Sequence, residues 1–282
     1  MPITVTNLTC VYGAGTPFET TALRDVSVTV ENGSFVGILG RTGCGKSTLI
    51  QIMAGLLTPT AGTVMLDGQD IHARRYDRSI LRRKVGIVFQ YPECQLFETT
   101  VEKDVAFGLK HSGLSAAEKQ ARVRWALETV GFSFEKVHDQ PPMGLSGGEK
   151  RRVAIAGVIA MQPKCIVLDE PTAMLDPAGR REVIDTATKL CREQGITVVL
   201  ITHHMEECVG ADRVIVLSNG AVVADGAPKQ VFSQVDLLKR EGLTAPVTVR
   251  LLHALRAHGM DVPLDALTVS DCADAVAAAL KK

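Results

Sequence analysis

The sequence predicts an α/β protein in which a mostly parallel β-sheet is covered by helices. Two observations predict this class: strand-like and helix-like apolar runs alternate in both halves of the chain, and a glycine-rich loop separates a strand from a helix. A third observation is a helical stretch that interrupts the alternation near the middle. The chain has 282 residues, 46% of them hydrophobic, which is enough for one large domain with a small appendage.

The glycine-rich loop follows an apolar strand at 34–39 and precedes a run at 48–54 with the spacing of a buried helix. It reads G-R-T-G-C-G-K-S and matches the phosphate-loop pattern G-x-x-x-x-G-K-[ST] at every fixed position. Backbone N–H groups of such a loop converge on phosphate oxygens, and the helix start adds partial positive charge. The nucleotide-binding residues predicted here are Gly40, Arg41, Thr42, Gly43, Cys44, Gly45, Lys46, Ser47 and Thr48.

Four further strands are predicted in the first half of the chain. Residues 3–12 alternate apolar and polar side chains, as a half-buried strand does, and 26–30 and 63–66 are shorter strands. Residues 85–89 form a buried strand that ends just before Gln90. Tyr12, at the end of the first strand, can stack on a nucleotide base or pack on the adjoining loop, and the sequence alone favours neither.

The second half alternates again, with a hairpin signal near its end. Asn219-Gly220 between two short apolar runs is typical of a tight hairpin turn. The predicted elements are a helix at 148–161, a strand at 165–168, a helix at 179–193, and strands at 197–201, 213–217 and 221–224. Such strand–helix alternation predicts a mostly parallel sheet.

Helical spacing dominates the middle and the end of the chain. Residues 101–109 and 116–130 have helical spacing with charged residues on one face. They indicate a helical subdomain inserted between strands of the core. The tail has helical apolar faces that either pack on their own core or pair with another subunit. The predicted division is a nucleotide-binding domain over 1–225, made of a core (1–90 and 145–225) and a helical subdomain (91–144), then a C-terminal helical region (226–282).

Two acidic residues end the predicted strand at 165–168. An apolar strand that ends in an aspartate, on the sheet that carries a phosphate loop, places a carboxylate on a magnesium ion. We therefore expect Asp169 and the Ser47 hydroxyl to hold Mg²⁺, and Lys46 to contact the outer phosphates. Glu170 is then free to polarise a water for attack on the outer phosphate.

A second phosphate cradle is predicted at Ser146, Gly147 and Gly148, small residues at the start of an apolar helix. The cations at 150–152 oppose the helix dipole, at a cost of about 0.3–1 kcal/mol each when exposed, and a bound anion would offset that cost. One chain thus carries two phosphate-binding surfaces, each of which contacts a nucleotide from one side only. The economical arrangement is two chains face to face, with nucleotide between the loop of one and the cradle of the other.

Composition narrows the class of protein. Lys and Arg number 31, as do Asp and Glu, for a net charge of +0, which argues against a nucleic-acid partner. Seven scattered cysteines without a C-x-x-C pair predict reduced thiols rather than disulfides or a zinc site. There is no signal-peptide pattern, and the longest helical apolar run, 153–161, is too short to span a bilayer. We expect a soluble protein that can lie against a membrane protein.

The ordered motifs resemble those of the ATP-binding cassette (ABC) ATPase family, over about residues 3–225. The motifs that carry the resemblance are Gly40–Ser47, Gln90, Leu145–Glu149, Ile166–Glu170, Leu175-Asp176 and His203. The resemblance implies a P-loop NTPase with a RecA-like core and an antiparallel β subdomain, which binds ATP and Mg²⁺ and works as a dimer.

The resemblance also implies roles by position. It implies that Tyr12 stacks on adenine, that Gln90 senses magnesium and the attacking water, and that His203 contacts the outer phosphate. Residues 146–148 would contact the ATP of a partner, and Asp176 would link the two sites. The predicted catalytic residues are Glu170, His203 and Gln90, and the predicted magnesium ligands are Ser47, Gln90 and Asp169.

Three stretches, 16–19, 91–98 and 151–157, look like ATPase subunits of energy-coupling factor transporters, and more particularly like the second of their two ATPase types. This implies import of vitamins or other micronutrients by a complex with a second ABC ATPase, a transmembrane coupling protein and substrate-binding membrane subunits. The chain would lie at the cytoplasmic face of the cell membrane. The predicted groove for a partner helix is formed by Tyr91, Glu93, Leu96, Phe97 and Glu98.

Two alternatives remain. A nickel or cobalt importer of the same transporter group would pair one ATPase with itself. A soluble cassette ATPase of DNA repair or translation is disfavoured. Repair proteins insert a long coiled coil between these motifs, whereas only about a hundred residues separate the phosphate loop from Ser146 here. Translation-type members usually carry two cassettes, and this chain carries one.

Overall fold

The computed structural model describes residues 2–91 and 95–281. Two β-sheets form its framework, one of six strands and one of four. The strands are β1 (Ile3–Tyr12), β2 (Thr20–Val30), β3 (Phe35–Leu39), β4 (Ala61–Leu66), β5 (Gln69–Asp70), β6 (Val85–Val88), β7 (Cys165–Asp169), β8 (Thr197–Thr202), β9 (Arg213–Ser218) and β10 (Ala221–Gly226).

Helices cover both sheets and make up the middle and the end of the chain. They are α1 (Lys46–Met53), α2 (Arg78–Lys84), α3 (Val101–Phe107), α4 (Ala116–Thr129), α5 (Phe134–Val137), α6 (Gly147–Ile159), α7 (Pro177–Arg192), α8 (Pro228–Phe232), α9 (Val235–Arg240), α10 (Val247–Ala257) and α11 (Val269–Leu280). Short 3-10 turns lie at Pro142–Gly144 and Met205–Cys208. Within the described ranges, no helix has the length and apolar character that crossing a membrane requires.

The six-stranded sheet has the order β10-β9-β3-β8-β7-β6, and all its pairings are parallel except that of β10 with β9. β3, β7 and β8 are buried along their whole length, as strands covered on both faces are, which explains their unbroken apolar sequences. The register places Leu39 opposite Thr202 and Asp169 opposite Ile201. The loops after these strands therefore meet at one edge of the sheet. This architecture confirms the predicted α/β class.

The four-stranded sheet is antiparallel, in the order β2-β1-β4-β5. Its inward side chains, among them Val5 and Leu8, share an apolar cluster with Ile38 of β3 and Leu49 of α1. β2 starts at Thr20, six residues before the predicted start, because the polar residues after Thr20 pair with the end of β1 across several register shifts. Hydrophobic alternation could not show this, since Leu23 is the one buried side chain among residues 20–25.

The helices of the middle segment pack on the other side of the central sheet. α6 contacts α3, α4 and α7. Residues of the inserted helices, such as Val105 and Leu127, belong to the same apolar cluster as Phe35 of β3 and Leu168 of β7. The inserted segment therefore shares its core with the sheet.

The tail consists of two parts with different packing. Phe232 of α8 and Leu238 of α9 are buried in the main apolar cluster. α10 also places Val249 in that cluster, and together with α11 it encloses a second, small cluster around Leu252, Val262 and Cys272. The predicted division after residue 225 stays a prediction, because the first two tail helices pack on the core.

Candidate active site

The phosphate loop connects the end of β3 to the start of α1. Gly45 precedes the helix with φ 106°, and a Cβ there would lie 2.5 Å from the carbonyl oxygen of Ala22, so only glycine fits. The ammonium of Lys46 donates hydrogen bonds to the carbonyl oxygens of Gly40 (2.6 Å) and Arg41 (3.0 Å). The loop thus holds a cation at a helix N-terminus, an arrangement suited to phosphate.

A cleft of about 350 Å³ opens beside this loop. Its lining residues are Tyr12, Thr20, Thr21, Ala22, Thr42, Gly43, Gly45, Lys46, Ser47, Thr48, Gln90 and Glu170. The Tyr12 hydroxyl lies 3.2 Å from the Thr48 Oγ1, which fixes the ring at the mouth of the cleft. The sequence prediction missed the start of β2, residues 20–22. Small polar residues before a predicted strand give no signal of a binding wall.

The Asp169 carboxylate is 8% exposed, at the end of β7. Burial raises its pKa and the neighbouring Glu170 raises it further, whereas a hydrogen bond from the Ser47 hydroxyl and the charge of Lys46 lower it. A hydroxyl and a carboxylate that already contact each other, with the Gln90 amide at the same cleft, are the hard oxygen donors that Mg²⁺ prefers. The residues present fit the predicted ion.

Glu170 lies between two other predicted catalytic residues. The Gln90 amide nitrogen donates to one carboxylate oxygen at 3.1 Å, and Nδ1 of His203 lies 3.4 Å from the other. The backbone N–H of Glu170 donates to the Ile201 carbonyl oxygen, which ties the residue to β8. The structure therefore brings Gln90, Glu170 and His203 together at the edge of the central sheet.

His203 also faces a second cleft, of about 440 Å³, which shares Thr42 with the first. Arg41 and Thr42 line it, and so do residues 242–244 of the tail. The contact is close, since a Cβ on Gly242 would lie 2.8 Å from Cδ of Arg41. The rings of His203 and His204 are 4.2 Å apart. Sequence reasoning missed the tail at this site, because nothing in residues 242–244 indicates which distant loop they touch.

Cys44 contributes no side chain to either cleft, although it belongs to the predicted loop. Its thiol is buried, its N–H donates to the Arg41 carbonyl oxygen, and its own carbonyl oxygen accepts from the N–H of Gly220. The buried thiol lies 3.9 Å from the Lys46 ammonium nitrogen, so Cys44 supports the loop from within.

The predicted second cradle lies away from the cleft. Ser146 caps α6: its Oγ accepts from the N–H of Glu149 at 3.3 Å, and its N–H donates to the Glu149 carboxylate at 2.9 Å. These bonds lower the pKa of Glu149. Among the described residues, none of 146–148 lines the phosphate-loop cleft, and Asp176 instead caps α7 by accepting from the N–H of Gly179. One chain therefore presents the two halves of the predicted site on separate surfaces.

Gly147 and Gly148 each have room for a Cβ in this chain. A Cβ at Gly147 would lie 3.4 Å from the nearest side-chain atom, of Leu175, and one at Gly148 would lie 3.6 Å from Cα of Gly179. Neither glycine is among the described residues with positive φ. The chain's own packing therefore does not require glycine at either position.

From the sequence, we expect a bound anion to offset the unfavourable position of the three cations at 150–152, near the start of α6. This expectation is corrected in part, because two of the three cations have protein partners. Arg151 is 2% exposed, and its guanidinium donates to the carbonyl oxygens of Glu170, Pro171 and Ala173. Arg152 lies 3.3 Å from the Glu182 carboxylate. These contacts stabilise the cations without a ligand.

Comparison with known proteins agrees with this geometry. The family described as ABC transporter matches residues 23–173. The energy-coupling factor transporter ATP-binding protein EcfA2 of Clostridium perfringens is 45% identical, over 98% of this chain and 97% of its own. The EcfA1 protein of Caldanaerobacter subterraneus is 50% identical, over 94% of this chain and 95% of its own.

Solved structures give the same result. CbiO1 of Clostridium perfringens, part of the ABC transporter complex CbiONQ, has a TM-score of 0.77 and 37% identity, covering 91% of this chain and 98% of its own. A dimeric ATP-binding cassette in a post-hydrolysis state with ADP and Pi has a TM-score of 0.69 and 30% identity, covering 80% of this chain and 98% of its own.

The phosphate loop, the acidic end of β7 and the glycine-bearing start of α6 define an ATP-binding cassette, and the chain belongs to the ABC transporter family. Within that family it is an ATP-binding subunit of the energy-coupling factor type, and it is an ATPase. The resemblance predicted from the motifs is confirmed. Relatives of this chain carry both names, EcfA1 and EcfA2.

Proposed function

We propose that this chain hydrolyses ATP to power the uptake of vitamins or other micronutrients, through a transmembrane coupling protein and substrate-binding membrane subunits. The support is its identity to energy-coupling factor ATPases over nearly their whole length. We place it at the cytoplasmic face of the membrane, held there by its partners, and we assign it to the second ATPase type on the three motif stretches described above.

The residues at the sheet edge divide the chemistry between them. Lys46 and the loop N–H groups bind the phosphates, and Tyr12 offers its ring to the base. Ser47, Asp169 and Gln90 would hold Mg²⁺, which when bound supplies positive charge to the phosphates. Glu170 accepts a proton from the attacking water, and His203 lies beside the same carboxylate, where it can donate to the outer phosphate.

We further propose that ATP is bound between two ABC ATPases. The observation that carries this proposal is the pair of glycines at 147 and 148, which this chain's packing does not require and which lie outside its phosphate-loop cleft. With Ser146 at the helix N-terminus, they leave backbone N–H groups open to a phosphate from the partner's site. Asp176, at the neighbouring start of α7, would contact the partner's loop.

Gly148→Ala tests the sandwich. The added methyl has room within this chain, so we expect unchanged thermal unfolding and unchanged binding of a fluorescent ATP analogue to the isolated chain. ATP hydrolysis by the paired ATPases should fall by about tenfold or more, since a methyl there blocks close approach of phosphate. Gly210→Ala is the matched control, because that glycine is exposed and a Cβ added to it would have no other atom within 4 Å. Full hydrolysis by the Gly148 variant would contradict the sandwich.

The partner surface we propose lies beside α3. A groove of about 170 Å³ is lined by Leu96, Phe97, Asp104 and Phe107, together with residues of α6. The rings of Phe97 and Phe107 meet edge to face at 4.8 Å, and both are exposed. Leu96 is buried at the groove, whereas Glu93, also predicted to belong to it, lies outside the described residues. An amphipathic helix of the coupling protein fits this apolar groove.

A further inference from the structure

The turn that follows β7 holds Glu170 in an uncommon conformation. Glu170 has φ 45°, in the left-handed region that side-chain-bearing residues seldom adopt. Such a conformation persists when the surrounding structure fixes it. Two buried side chains from other parts of the fold contact the residues of this turn, 170–173.

The first contact comes from α6. Arg151, on the second turn of that helix, spans the turn: one guanidinium nitrogen, Nη1, donates to the carbonyl oxygens of Glu170 (3.4 Å) and Pro171, and the other, Nη2, donates to Ala173 (2.5 Å). Arginine's rigid planar fork suits several acceptors held at fixed positions. Lysine keeps the charge but cannot reproduce that geometry.

The second contact comes from the 3-10 turn at 205–208. The Thr172 hydroxyl donates to a carboxylate oxygen of Glu207 at 2.6 Å, and the two residues are 1% and 8% exposed. The other carboxylate oxygen of Glu207 is buried without a hydrogen-bond partner in the part of the chain that the structure describes. Burying a carboxylate is costly, so its hydroxyl bond to the turn is a strong restraint.

We propose that Arg151 and Glu207 are positioning residues, which hold the 170–173 turn so that the Glu170 carboxylate faces Gln90 and His203. Arg151 also connects the helix that begins at Ser146 to the catalytic turn of the same chain. A phosphate bound at the start of α6 would then act on Glu170 through one rigid helix and one side chain. This inference rests on the proposed role of Glu170.

Arg151→Lys tests the first restraint in the purified full-length chain with its partner ATPase. We expect kcat to fall by about tenfold to hundredfold, because small displacements of a catalytic group carry costs of that size, with KM for MgATP within about twofold of wild type. Arg152→Lys is the matched control: it lies on the same helix and pairs with Glu182 instead of the turn, and its kcat should stay within about twofold.

A pair of substitutions at 172 tests the second restraint even where the arginine variant folds poorly. Thr172→Val removes the hydroxyl at nearly constant volume and should lower kcat severalfold. Thr172→Ser keeps the hydroxyl, and its kcat should match that of wild type. Thermal unfolding and binding of a fluorescent ATP analogue are measured on every variant.

The outcomes separate this inference from the proposed function. Wild-type kcat in both Arg151→Lys and Thr172→Val would overturn it, as would a loss of ATP binding or of folded protein that parallels the loss of kcat. Glu170→Gln is assayed alongside. If that variant is inactive while the two positioning variants are fully active, only the positioning role is wrong. If Glu170→Gln turns over at the wild-type rate, both proposals are wrong.

Discussion

At the scale of single residues, the two adjacent acids at the end of β7 have opposite surroundings. Asp169 is the last residue of β7, whereas Glu170 begins the following turn in a left-handed conformation, so the two carboxylates enter different environments. Asp169 is buried against the Ser47 hydroxyl, and this burial raises its pKa. Glu170 contacts an amide and an imidazole at the open edge. The first environment suits a cation and the second suits proton transfer from water.

Glu170→Gln should therefore separate binding from hydrolysis. The amide keeps the shape of the side chain and leaves the phosphate loop and Asp169 untouched, so binding of MgATP should be retained. Because the proton acceptor is lost, hydrolysis should fall by about 10²–10⁴-fold. Equilibrium binding of a fluorescent ATP analogue and phosphate release measure the two quantities. Glu193→Gln, at an exposed position after α7, is the control. Wild-type phosphate release from the Glu170 variant would refute the assignment.

At the scale of elements, Asp212 joins the start of β3 to the end of α7. Its carboxylate accepts from the N–H of Phe35 at 2.8 Å and from both terminal nitrogens of Arg192, at 2.8 and 3.0 Å. Partial burial alone would raise the pKa of Asp212, but these hydrogen bonds outweigh it and the pKa lies below the usual value of 3.8. The strand that leads into the phosphate loop is thereby fixed to a helix behind the sheet.

Asp212→Asn removes the charge pair with Arg192. Because that pair is partly exposed, the free energy of unfolding should fall by only about 1 kcal/mol at about pH 7. A carboxyl whose pKa is lower in the folded chain than in the unfolded chain stabilises the fold at any pH above its unfolded-state pKa. This stabilisation disappears as the pH falls through the folded-state pKa. The difference between variant and wild type should therefore shrink as the pH drops below 3.8. Urea unfolding across this range measures it, with exposed Asp185→Asn as control. A difference independent of pH would mean that charge is not the cause.

Local sequence predicts this fold well wherever one segment carries its own signal. The phosphate loop, the acidic end of β7 and the Asn219-Gly220 hairpin all combine turn chemistry with adjacent apolar runs, and each lies where the pattern indicates. Contacts between distant segments have no such signal. The fork of Arg151 over the catalytic turn, and Gly242 against Arg41, depend on which loops the sheet brings together. Both were beyond prediction because an arginine on a helix or a glycine in a loop fits many environments.

At the scale of the whole molecule, α6 borders two surfaces with different chemistry. The Phe97–Phe107 groove beside α3 is apolar, whereas the start of α6 presents a capped helix end with two glycines. Since α6 contacts α3 and also carries Arg151, one helix lies between the proposed membrane-partner groove and the catalytic turn. In the proposed arrangement, nucleotide binding and partner binding would therefore act on the same helix.

Phe97→Ala should weaken the membrane partner without affecting the ATPase site. The ring is 61% exposed, so its removal leaves the core intact, and ATP binding by the isolated chain should be unchanged. Loss of an exposed aromatic anchor costs an interface about 2 kcal/mol or more, which is about thirtyfold in affinity. Co-purification with the coupling protein from native membranes measures this. Leu56→Ala, also an exposed apolar residue, is the control. Undiminished co-purification would remove the groove from the proposal.

The turn at Gly242 restricts how such proteins can be recombined. Gly242 has φ 69°, in the left-handed region that favours glycine, and it lies against the Arg41 side chain of the nucleotide loop. A hybrid ATPase that takes its C-terminal helices from another family member would therefore need glycine at this place, together with an Arg41 side chain free to adjust to the new tail.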